Sequence, residues 1–543
     1  MKITVAQINY HIGNFEGTFD KMKNAIEEAK NAGSDIVCFS ELATVGYPAR
    51  DFLEFDDFIK LSEQTIGRLC ALAENIAIVV GAPTRNHNPE GKDLFNSAYF
   101  IAEGKVQYIQ HKTLLPTYDI FDEYRYFEPA TEWNVVTYKG KKIALCVCED
   151  IWDLVDNPLY TIVPLDQMMG YNPDFIINVS ASPFNYLHAQ ARLDMIKKNV
   201  ERYKIPMFYI NHCGAQTELL FDGGSVIMSA DGHYDELPYF ENCLRHYDID
   251  EVIKGGVTSS QPKEKIMLIH DALVMGLKDY FGKLGFKQAI LGLSGGIDSA
   301  VTAVLAQRAL GSENVRVLLM PSEFSSGHSV DDAVTLAENL GIKYDIIAIK
   351  DIYDLYVKTL SPLFGDLPFN VTEENLQARI RGMLNMAISN KYGNILLNTT
   401  NKSEMAVGYG TLYGDLCGGL SVLGDVYKTE VYELAHFMNK DSEVIPQNSI
   451  TKPPSAELRH NQKDSDSLPD YDILDKLLYL YVEKHTDPAD IIAAGFDEAL
   501  VKRVLRMVNI NEFKRHQTAP VLRVSPKAFG MGRRMPIVGK YLN

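Results

Sequence analysis

One segment of the chain, "QAILGLSGGIDSAVTAVLAQRAL" at residues 288–310, joins an apolar run to a helical pattern through a glycine-rich turn. Gly295 and Gly296 allow the backbone to turn tightly and to point its N–H groups at a ligand. The helix that follows adds the positive end of its dipole. The segment therefore predicts a strand, an anion-binding turn and a helix; the less specific alternative is an ordinary βα turn.

The side chains of this turn suit a nucleotide that carries Mg²⁺. Ser294 and Ser299 supply hydroxyl donors, and Asp298 can hold Mg²⁺ against phosphate oxygens. The common phosphate-binding loop has a lysine after its glycines, but this turn has none, and no GK dipeptide in the sequence precedes Ser or Thr. The turn therefore predicts nucleotide chemistry in which another part of the chain supplies the cation.

The alternation of strand and helix patterns predicts an α/β fold. From residue 288 onward, runs such as "NVRVLLMPS" and "KYDIIAIK" alternate with helical patterns, which predicts a doubly wound, mostly parallel sheet. The N-terminal half also alternates β-branched runs with helical or polar stretches. A chain of 543 residues exceeds one core, and a stretch rich in Gly, Ser and Lys divides it. We predict domains at 1–250 and 265–543, joined by a linker at 251–264.

The balance of charges and the cysteine content exclude several functions. The sequence has 53 basic and 71 acidic residues, a formal charge of −18, which argues against a nucleic-acid backbone or an anionic membrane as partner. The 7 cysteines include no CxxC pair and are too scattered for a disulfide framework. No secretory apolar region follows Met1, and no apolar run approaches the ~20 residues that span a bilayer. We therefore expect a cytoplasmic protein.

Longer stretches of the C-terminal half resemble a known family. The turn "SGGIDS" resembles the loop of enzymes that cleave ATP to AMP and pyrophosphate. The runs "ENLQARIRGMLNMA", "NTTNKSEMAVGYGT" and "KPPSAELR" are similar, in this order, to the synthetase domain of NAD synthetases, which activate the nicotinate carboxylate of deamido-NAD as an adenylate. The resemblance implies ATP and deamido-NAD as substrates, Mg²⁺ bound with ATP, and no prosthetic group.

Carried over position by position, this resemblance assigns two sets of residues. The implied ATP-binding set is Gly292, Leu293, Ser294, Gly295, Gly296, Ile297, Asp298, Ser299 and Thr399. The implied deamido-NAD-binding set is Asn375, Arg379, Glu404, Asp415, Lys428 and Lys514. Asp298 and Glu404 are also the implied Mg²⁺ ligands. Lys428 and Lys514 can supply the cation that the turn lacks.

Taken one at a time, some of these residues have simpler interpretations. Arg379 and Arg381 fit a solvated helix face, and Lys428 fits a helix cap. Their ordered occurrence behind the SGGIDS turn favours the functional interpretation. Residues 446–469 predict a long mobile loop, a kind of segment that is often functional.

Three reactive side chains of the N-terminal half each follow an apolar strand pattern. Glu41 follows "DIVCFS", Lys112 follows "VQYIQH", and Cys148 ends "KIALCVC". A carboxylate, an ammonium and a thiol at strand ends can converge on one pocket, although each alone also fits a core or loop position. Their contexts, "SELATVGYP", "HKTLLPTYD" and "CVCEDIW", resemble the triad of the nitrilase (carbon–nitrogen hydrolase) superfamily, in particular the glutaminase domain fused to NAD synthetases. The resemblance implies an α-β-β-α sandwich.

The implied chemistry is the release of ammonia from L-glutamine. Cys148 attacks the side-chain amide, Glu41 transfers the protons, and Lys112 stabilises the oxyanion and lowers the pKa of the thiol. Glu123 matches a family carboxylate that orients Lys112 and Glu41. The implied glutamine-binding residues are Tyr47, Tyr118, Glu149, Ser182 and His188.

Two further features of this half lead to expectations of their own. The family commonly has a basic residue where this chain has His188, so Arg192 is an alternative partner for the glutamine carboxylate. Cys146 is expected to face the same way as Cys148 on an extended strand, and to be structural.

The two halves together imply ATP-dependent amidation of deamido-NAD to NAD by ammonia from glutamine, the last step of NAD biosynthesis. The resemblance also implies a homo-oligomer and an internal ammonia passage. Two alternatives stay open: another amide-forming enzyme with the same ATP chemistry, such as a GMP-synthetase-like one, and a non-catalytic dinucleotide-sensing or scaffold protein. The first is expected to lack the "ENLQARIRGMLNMA" run, and the second to lack at least one reactive side chain.

Overall fold

The computed structural model describes residues 1–154, 159–256, 263–460 and 462–541. The chain divides into two compact units, Met1–Lys263 and Glu264–Asn543. The segment predicted as a linker begins within a short helix, Ile249–Ile253, and residues 257–262 of that segment lie outside the described residues. Within the described ranges, no helix combines the length and the apolar content that crossing a membrane requires.

The first unit is built from two six-stranded sheets. Its strands are β1 (Lys2–Gln7), β2 (Ile36–Cys38), β3 (Ala77–Arg85), β4 (Leu94–Ala102), β5 (Lys105–His111), β6 (Val136–Tyr138), β7 (Lys141–Val147), β8 (Phe175–Ser180), β9 (Met207–Asn211), β10 (Cys213–Gln216), β11 (Leu219–Asp222), β12 (Val226–Met228), β13 (Tyr234–Glu236) and β14 (Cys243–Asp248). The sheet orders are β14-β1-β2-β3-β4-β5 and β13-β12-β9-β8-β7-β6, and β10 and β11 form a separate hairpin.

Helices cover the outer faces of these sheets. They are α1 (Phe15–Asn31), α2 (Asp56–Leu72), α3 (Pro164–Met169) and α4 (His188–Tyr203), and the short α5 (Ile249–Ile253) follows β14. One core joins the inner faces of both sheets, with Val79 on one side and Leu145 on the other. Two outer cores join α1 and α2 to the first sheet and α3 and α4 to the second. This arrangement confirms the predicted α-β-β-α sandwich.

The second unit is built on a parallel sheet. Its strands are β15 (Ala289–Gly292), β16 (Val315–Leu319), β17 (Lys343–Ile346), β18 (Ile395–Asn398) and β19 (Leu420–Ser421). The order is β17-β16-β15-β18-β19, and all four pairings are parallel. The strand order reverses between β15 and β18, and ligands bind at the carboxyl ends of strands at such a position. The doubly wound sheet is confirmed, and the SGGIDS turn leaves β15 at this switch point.

The helices of the second unit are α6 (Lys265–Leu284), α7 (Ile297–Leu310), α8 (Gly327–Leu340), α9 (Lys350–Phe364), α10 (Val371–Tyr392), α11 (Lys402–Val407), α12 (Lys428–Met438), α13 (Gln447–Thr451), α14 (Tyr471–Leu478), α15 (Pro488–Ala493), α16 (Glu498–Ile510) and α17 (Glu512–Arg515). The predicted loop at 446–469 therefore starts with a helix, and a 3-10 turn at Asp464–Asp466 interrupts it again. A separate apolar core packs α11 against α14 and α16.

Candidate active sites

Three charged side chains of the first unit form a buried cluster. Lys112 Nζ lies 2.8 Å from Glu41 Oε1 and 2.8 Å from both carboxylate oxygens of Glu123. Lys112 and Glu41 are fully buried. The hydroxyl of Tyr47 donates to Glu123 Oε1 at 2.9 Å, and Asn96 Nδ2 donates to Glu41 Oε1 at 2.7 Å. Because each charge has an opposite charge and neutral donors beside it, the cluster is preorganised before any ligand binds.

Each reactive residue follows a strand, as predicted. Glu41 lies shortly after β2, Lys112 directly after β5, and Cys148 directly after β7. Cys148 begins a 3-10 turn, Cys148–Ile151, and has a φ of +42°, a left-handed value that is uncommon for a residue with a Cβ. Because of this turn, the Cys148 side chain does not follow the alternating side-chain directions of β7. It lies in the core between the sheets, beside the charged cluster.

The position of Glu41 depends on a glycine of the neighbouring strand. A Cβ at Gly81 of β3 would lie 2.3 Å from the backbone nitrogen of Leu42 and 2.6 Å from the Cα of Glu41. Only glycine therefore allows β3 to pass so close to the segment that carries the carboxylate. On the other oxygen of Glu41, the N–H of Ala181 donates to Oε2 at 2.8 Å.

The expectation that Cys146 faces the same way as Cys148 is wrong. Cys146 lies in the outer core between the second sheet and its helices, whereas Cys148 lies in the core between the sheets. The left-handed backbone at Cys148 breaks the alternation that an extended strand would continue. Asn178 Nδ2 donates to Cys146 Sγ at 3.2 Å and to the carbonyl of Cys148 at 3.3 Å, which ties this strand end to β8.

Burial raises the pKa of the Cys148 thiol well above its usual value, and the negative charge of Glu41 raises it further. Lys112 acts in the opposite direction, as expected from the sequence, but its effect does not outweigh the other two. The effect expected of Lys112 is therefore present, but the pKa of the thiol is raised overall. Burial also raises the pKa of Glu123 to about 7, against the opposing charge of Lys112. The thiol stays neutral until a base takes its proton.

Glu149 lies next to the nucleophile, with two tyrosines around its carboxylate. The hydroxyl of Tyr118 donates to it at 2.9 Å and that of Tyr160 at 3.0 Å. Burial raises the pKa of Glu149. Tyr118 is 41% exposed, so this group lies where a small molecule can enter from solvent. A carboxylate framed by phenol groups suits a substrate ammonium.

Ser182 and His188 are brought together on the other side of the same turn. The Ser182 Oγ and His188 Nε2 atoms are 2.6 Å apart, and the His188 ring stacks on Trp152 with centroids 5.2 Å apart. Trp152 follows the turn that begins at Cys148, so the imidazole is tied to the segment that carries the nucleophile. Tyr47, by contrast, uses its hydroxyl on Glu123 and belongs to the charged cluster.

The alternative partner for the glutamine carboxylate, Arg192, is occupied elsewhere. It is fully buried, and its two terminal nitrogens donate to the two carboxylate oxygens of Asp222 at 3.0 and 2.9 Å. A paired and buried guanidinium cannot reach a substrate without exposing Asp222 as an unpaired charge. The structure therefore argues against this alternative.

Residues of this site that the sequence did not indicate hold the charged segments in place. The Asp150 carboxylate accepts the N–H groups of Thr113 and Leu114 at 2.9 Å each and that of Val147 at 3.0 Å. It thereby fastens the segment after Lys112 to the end of β7. Asn96 lies in the middle of β4, where no local pattern marks it. Asp150 stands in the quoted "CVCEDIW", but nothing in that run indicates that its carboxylate accepts three backbone N–H groups.

The second unit contains a cavity of about 310 Å³ at the carboxyl ends of β15, β16 and β18. Its lining includes most of the predicted ATP-binding set, namely Gly292, Leu293, Ser294, Gly296, Ile297, Asp298, Ser299 and Thr399. Of the predicted deamido-NAD set, the lining includes Glu404, Asp415 and Lys428. The switch point of the sheet therefore brings these residues around one cavity.

The turn after β15 is built as its sequence predicts. Gly295 has a φ of +77°, and a Cβ there would lie 2.1 Å from the carbonyl oxygen of Ser329 in α8. The hydroxyl oxygens of Ser294 and Ser299 are 3.1 Å apart, and the N–H of Gly296 donates to Ser294 Oγ at 3.2 Å. The serines thus hold the turn open toward the start of α7.

A cation lies beside this turn, as anticipated. Lys428 Nζ forms an ion pair with Asp298 and lies 3.6 Å from Glu404 Oε1. Asn401 Nδ2 donates to the other oxygen of Asp298 at 2.9 Å. Burial and the charge of Asp298 raise the pKa of Glu404 to about 8, against the opposing charge of Lys428. The carboxylates of Asp298 and Glu404 therefore lie beside a single ammonium group, that of Lys428. A further cation at this position would stabilise the ionised form of Glu404.

Behind these residues, a buried ionic cluster fixes the start of α11. Lys402 Nζ lies 2.7 Å from Glu483 Oε1, 2.9 Å from Asp425 Oδ1 and 2.6 Å from Ser525 Oγ. Lys402 is fully buried, and Asp425 also accepts the N–H of Ser525 at 2.7 Å. Because Asn401 and Glu404 flank Lys402, this cluster positions the side chains that surround Asp298.

Three residues of the predicted deamido-NAD set lie outside the lining of the cavity. Asn375 and Arg379 lie four positions apart on α10 and contact the segment before Asp415. Asn375 accepts from Thr411 Oγ1 at 2.7 Å, and Arg379 Nε donates to the Leu412 carbonyl at 3.2 Å. Lys514 Nζ donates to the carbonyls of Gly408 and Gly410 at 2.8 and 2.9 Å. These residues support the rim formed by residues 408–415.

The cavity also contains side chains that the sequence did not indicate. Arg381, for which a solvated helix face was the simple interpretation, lines the cavity from α10. Lys452, Glu457 and Asp464 line it from the segment predicted as a mobile loop. The hydroxyls of Tyr409 and Tyr471 donate to Asp464 at 3.2 and 3.0 Å. Arg381 stands within the quoted "ENLQARIRGMLNMA", so the resemblance of that run was the signal that could have indicated it as a cavity residue.

Within the parts of the chain that the structure describes, no cluster of three or more His, Cys, Asp or Glu residues could hold a metal ion by itself. Asp298 and Glu404 supply only two carboxylates, so a Mg²⁺ ion bound there would also need oxygen ligands from a bound phosphate. All seven cysteines are free thiols.

Comparison with known proteins gives the class of each unit. Residues 2–235 match the carbon–nitrogen hydrolase family model, and residues 269–518 match the NAD synthase family model. A solved structure of the glutamine-dependent NAD+ synthetase from Acinetobacter baumannii, in complex with adenosine diphosphate, is 38% identical with a TM-score of 0.79, and the match covers 99% of this chain and 98% of that one.

Relatives match this chain over nearly its full length. The glutamine-dependent NAD(+) synthetase of a Synechocystis species is 43% identical over 546 residues, with 98% of each chain covered. That of Acinetobacter baylyi is 41% identical over 542 residues, with 99% of this chain and 98% of the relative covered. The chain belongs to the glutamine-dependent NAD(+) synthetase family.

Proposed function

We propose that this chain catalyses the ATP-dependent amidation of deamido-NAD to NAD, with ammonia released from L-glutamine. The observation that carries the proposal is the presence, in one chain, of a buried Glu41-Lys112-Cys148 site and a cavity formed around the SGGIDS turn. Family membership over nearly the full length supports the same reaction. AMP, pyrophosphate and glutamate are the other products, and the reaction is the last step of NAD biosynthesis.

The first unit releases the ammonia. Glu41 takes the proton of the Cys148 thiol while the sulfur attacks the amide carbon of glutamine, because the thiol is neutral at rest. Lys112 stabilises the negative charge that develops on the amide oxygen. The C–N bond then breaks, the leaving nitrogen receives the proton from Glu41, and a thioester to Cys148 remains. Water activated by Glu41 hydrolyses the thioester to glutamate.

The neighbours of this site fit the ends of the glutamine molecule. Glu149, with Tyr118 and Tyr160 on its carboxylate, pairs with the α-ammonium of the substrate. Ser182 and His188 hold the α-carboxylate through hydrogen bonds. Glu123 and Tyr47 keep Lys112 oriented. A neutral imidazole binds a carboxylate less strongly than a lysine would, so glutamine affinity depends on His188.

The second unit activates deamido-NAD. An oxygen of the nicotinate carboxylate attacks the α-phosphorus of ATP, the bond from that phosphorus to the bridging oxygen breaks, and pyrophosphate leaves with the electron pair. Ammonia then attacks the carbonyl carbon of the adenylate, AMP leaves, and a proton is released to solvent. The SGGIDS turn and Thr399 bind ATP, and Lys428 neutralises phosphate charge beside Asp298. Asn375, Arg379, Asp415 and Lys514 bind deamido-NAD at the 408–415 rim.

Mg²⁺ bound with ATP fits the residues present, and no prosthetic group is required. Asp298 and Glu404 would hold it, because both carboxylates line the cavity beside the SGGIDS turn. When bound, Mg²⁺ supplies neutralisation of the phosphate oxygens during adenylation.

We also propose that the chain acts as a homo-oligomer in the cytoplasm. No residue of α9 is buried against the described remainder of the chain, and the exposed fractions of Leu355 and Leu363 are 63% and 79%. An amphipathic helix with an uncovered apolar face fits an interface between copies. Leu363→Glu should lower the mass measured by light scattering in solution, whereas Lys358→Glu, also exposed on α9, should not. The free thiols support a reducing compartment.

Isotope labelling tests the proposed reaction directly. With glutamine labelled with ¹⁵N in its side-chain amide, NAD formed from deamido-NAD and ATP should carry the label. Cys148→Ala should abolish this synthesis but spare synthesis driven by ammonium salts. Cys243→Ala, a substitution of a half-buried thiol away from the site, should preserve both activities. Unlabelled NAD, or loss of both activities in a folded Cys148→Ala protein, would contradict the proposal.

A further inference from the structure

The charges around the cavity of the second unit are unevenly paired. Its lining carries the carboxylates of Asp298, Glu404, Asp415, Glu457 and Asp464 and the cations of Arg381, Lys428 and Lys452. Lys428 is already in an ion pair with Asp298. Among the described residues, neither Arg381 nor Lys452 has a carboxylate oxygen within ion-pair distance. Both cations line the cavity without a direct ion pair, and the nearby carboxylates act on them only at longer range.

Arg381 reaches the cavity from α10 and is held by one neutral group. Its Nε donates to the carbonyl of Met320 at 3.0 Å, just beyond the end of β16. Met320 also lies close to Gly292, where a Cβ would be 3.3 Å from the Met320 side chain. The Nε atom is thereby fixed at the carboxyl end of β16, next to the strand from which the SGGIDS turn leaves, and the terminal nitrogens can bind an anion. Burial lowers the pKa of Arg381 to about 10, against the opposing charges of Glu457 and Asp415.

Lys452 reaches the cavity from the end of α13. Its Nζ is 3.0 Å from the hydroxyl of Ser329 in α8. The carbonyl of Ser329 is the atom that a Cβ at Gly295 would strike at 2.1 Å, so Lys452 is one residue removed from the turn itself. Glu457 accepts the same Ser329 hydroxyl at 2.7 Å and that of Ser326 at 3.2 Å. Serine hydroxyls therefore hold Glu457 while Lys452 stays without an ionic partner.

We propose that Arg381 and Lys452 form a polyphosphate-binding pair that holds the β- and γ-phosphates of ATP and the pyrophosphate formed from them. This inference rests on the proposed function and adds two cations to the SGGIDS turn. The pair explains how a turn without its own lysine can bind several phosphate charges in an acidic cavity. Arg381 supplies a fork of two donors, and Lys452 supplies a point charge next to the turn.

The pair has a definite kinetic consequence. Negative charge accumulates on the leaving pyrophosphate as the bond to the α-phosphorus breaks, so cations that contact it stabilise both ATP and the transition state. Loss of either cation should weaken ATP and pyrophosphate binding without a comparable effect on deamido-NAD. A residue with only a structural role would not separate the two substrates in this way.

Steady-state kinetics with ammonium salts as nitrogen source test the pair independently of the first unit. Arg381→Gln and Lys452→Gln should each raise the KM for ATP by about tenfold or more and weaken inhibition by added pyrophosphate by a similar factor. The KM for deamido-NAD should change by less than about twofold. Arg381→Lys and Lys452→Arg should recover part of the loss, because they keep the charge.

Matched controls are the exposed cations Lys391 on α10 and Lys440 after α12. Lys391→Gln and Lys440→Gln should leave the KM for ATP unchanged. Unchanged ATP kinetics in folded Arg381→Gln and Lys452→Gln proteins would overturn the inference. A rise confined to the KM for deamido-NAD would also overturn it, since the pair would then serve the dinucleotide. Wild-type protein that makes no NAD from deamido-NAD, ATP and ammonium would instead contradict the proposed function.

Discussion

The two sites of this chain treat buried charge in opposite ways. In the first unit, Lys112 touches both carboxylates of its cluster at 2.8 Å, and the cluster is closed to solvent. In the second unit, a cavity of about 310 Å³ keeps Arg381 and Lys452 without ionic partners. A site for a small molecule whose reacting amide is uncharged can pair its lysine with its own carboxylates before the ligand arrives. A site for polyphosphates must keep part of its charge unpaired until the ligand arrives.

This difference predicts where substitutions do damage. A substitution in the first site removes a partner from groups that stay buried, so both stability and activity fall. A substitution of an unpaired cation in the second site removes an interaction that exists only with ligand, so binding falls while stability is kept or improves. The following predictions test the contrast, in order of decreasing effect.

Lys112→Met should have the largest effect. It leaves Glu41 and Glu123 buried without a cation, which costs about 3–5 kcal/mol of unfolding free energy. It also removes the oxyanion contact, so glutamine-dependent synthesis should fall about a thousandfold or more. Denaturant unfolding and steady-state rates measure the two effects.

Lys105→Met provides the control, because Lys105 is exposed at the start of the same strand, β5. It should change neither stability nor rate. If Lys112→Met proteins hydrolyse glutamine at a rate near that of the wild type, the proposed role of Lys112 in the first site is wrong.

Gly81→Ala should come next. The new methyl group must displace the backbone of Glu41 and Leu42, which costs about 1–3 kcal/mol or more and shifts the general base. Glutamine hydrolysis should fall with the melting temperature. Gly67→Ala in α2 is the matched substitution, because nothing lies within 4 Å of its Cβ position, and it should stabilise the protein slightly. Equal melting temperatures for the two variants would contradict this prediction.

Glu404→Gln should change how stability depends on pH. The pKa of Glu404 is about 8 in the folded chain against an ordinary 4.5, so the folded chain binds this proton more tightly than the unfolded one. The free energy of unfolding therefore falls as pH rises from about 4.5 to 8, by up to about 1.4 kcal/mol per pH unit for this group.

Glutamine at position 404 removes that contribution, so the variant should lose less stability over this pH range than the wild type does. Denaturant unfolding of the whole chain at several pH values measures the slope. Glu498→Gln, at an exposed position of α16, should keep the wild-type slope. Parallel slopes for Glu404→Gln and the wild type would show that this carboxylate does not titrate abnormally.

His188→Ala should have the smallest effect. It removes the hydrogen-bond partner of Ser182 and the ring that stacks on Trp152, so the KM for glutamine should rise about threefold to tenfold with little change in kcat. His188→Lys should lower this KM below that of His188→Ala. His87→Ala, at an exposed position, serves as control. An unchanged KM in His188→Ala would remove His188 from the glutamine site.

The sequence predicted the first site well because its chemistry stands at strand ends. Glu41, Lys112 and Cys148 each follow an apolar run, and the fold brings together the ends of β2 and β5 of the first sheet and the end of β7 of the second. The direction of Cys146 was mispredicted, since alternation assumes an extended backbone and Cys148 has a left-handed one. Asn96 was missed because nothing in the middle of a strand marks a side chain that binds two carboxylates.

The second site was predicted only where it is local in sequence. The SGGIDS turn, Thr399 and Lys428 lie close to strand or helix ends, and the fold brings them to one cavity. Arg381 and Lys452 become neighbours of the turn only through tertiary contacts with Met320 and Ser329. Arg381 lies two positions after Arg379 on α10, and nothing in the neighbouring sequence indicates that its side chain faces a cavity.

The buried contact between Lys402 and Ser525 makes the nucleotide site of the second unit depend on a segment that is distant in sequence. A chain whose translation stops early, or that a protease trims before Ser525, keeps the SGGIDS turn but loses the hydroxyl and the backbone amides that satisfy Lys402 and Asp425. Such a fragment should bind nucleotide poorly even though all the residues around the turn remain. The segment around Ser525 is thus required for the nucleotide site although it does not line the cavity.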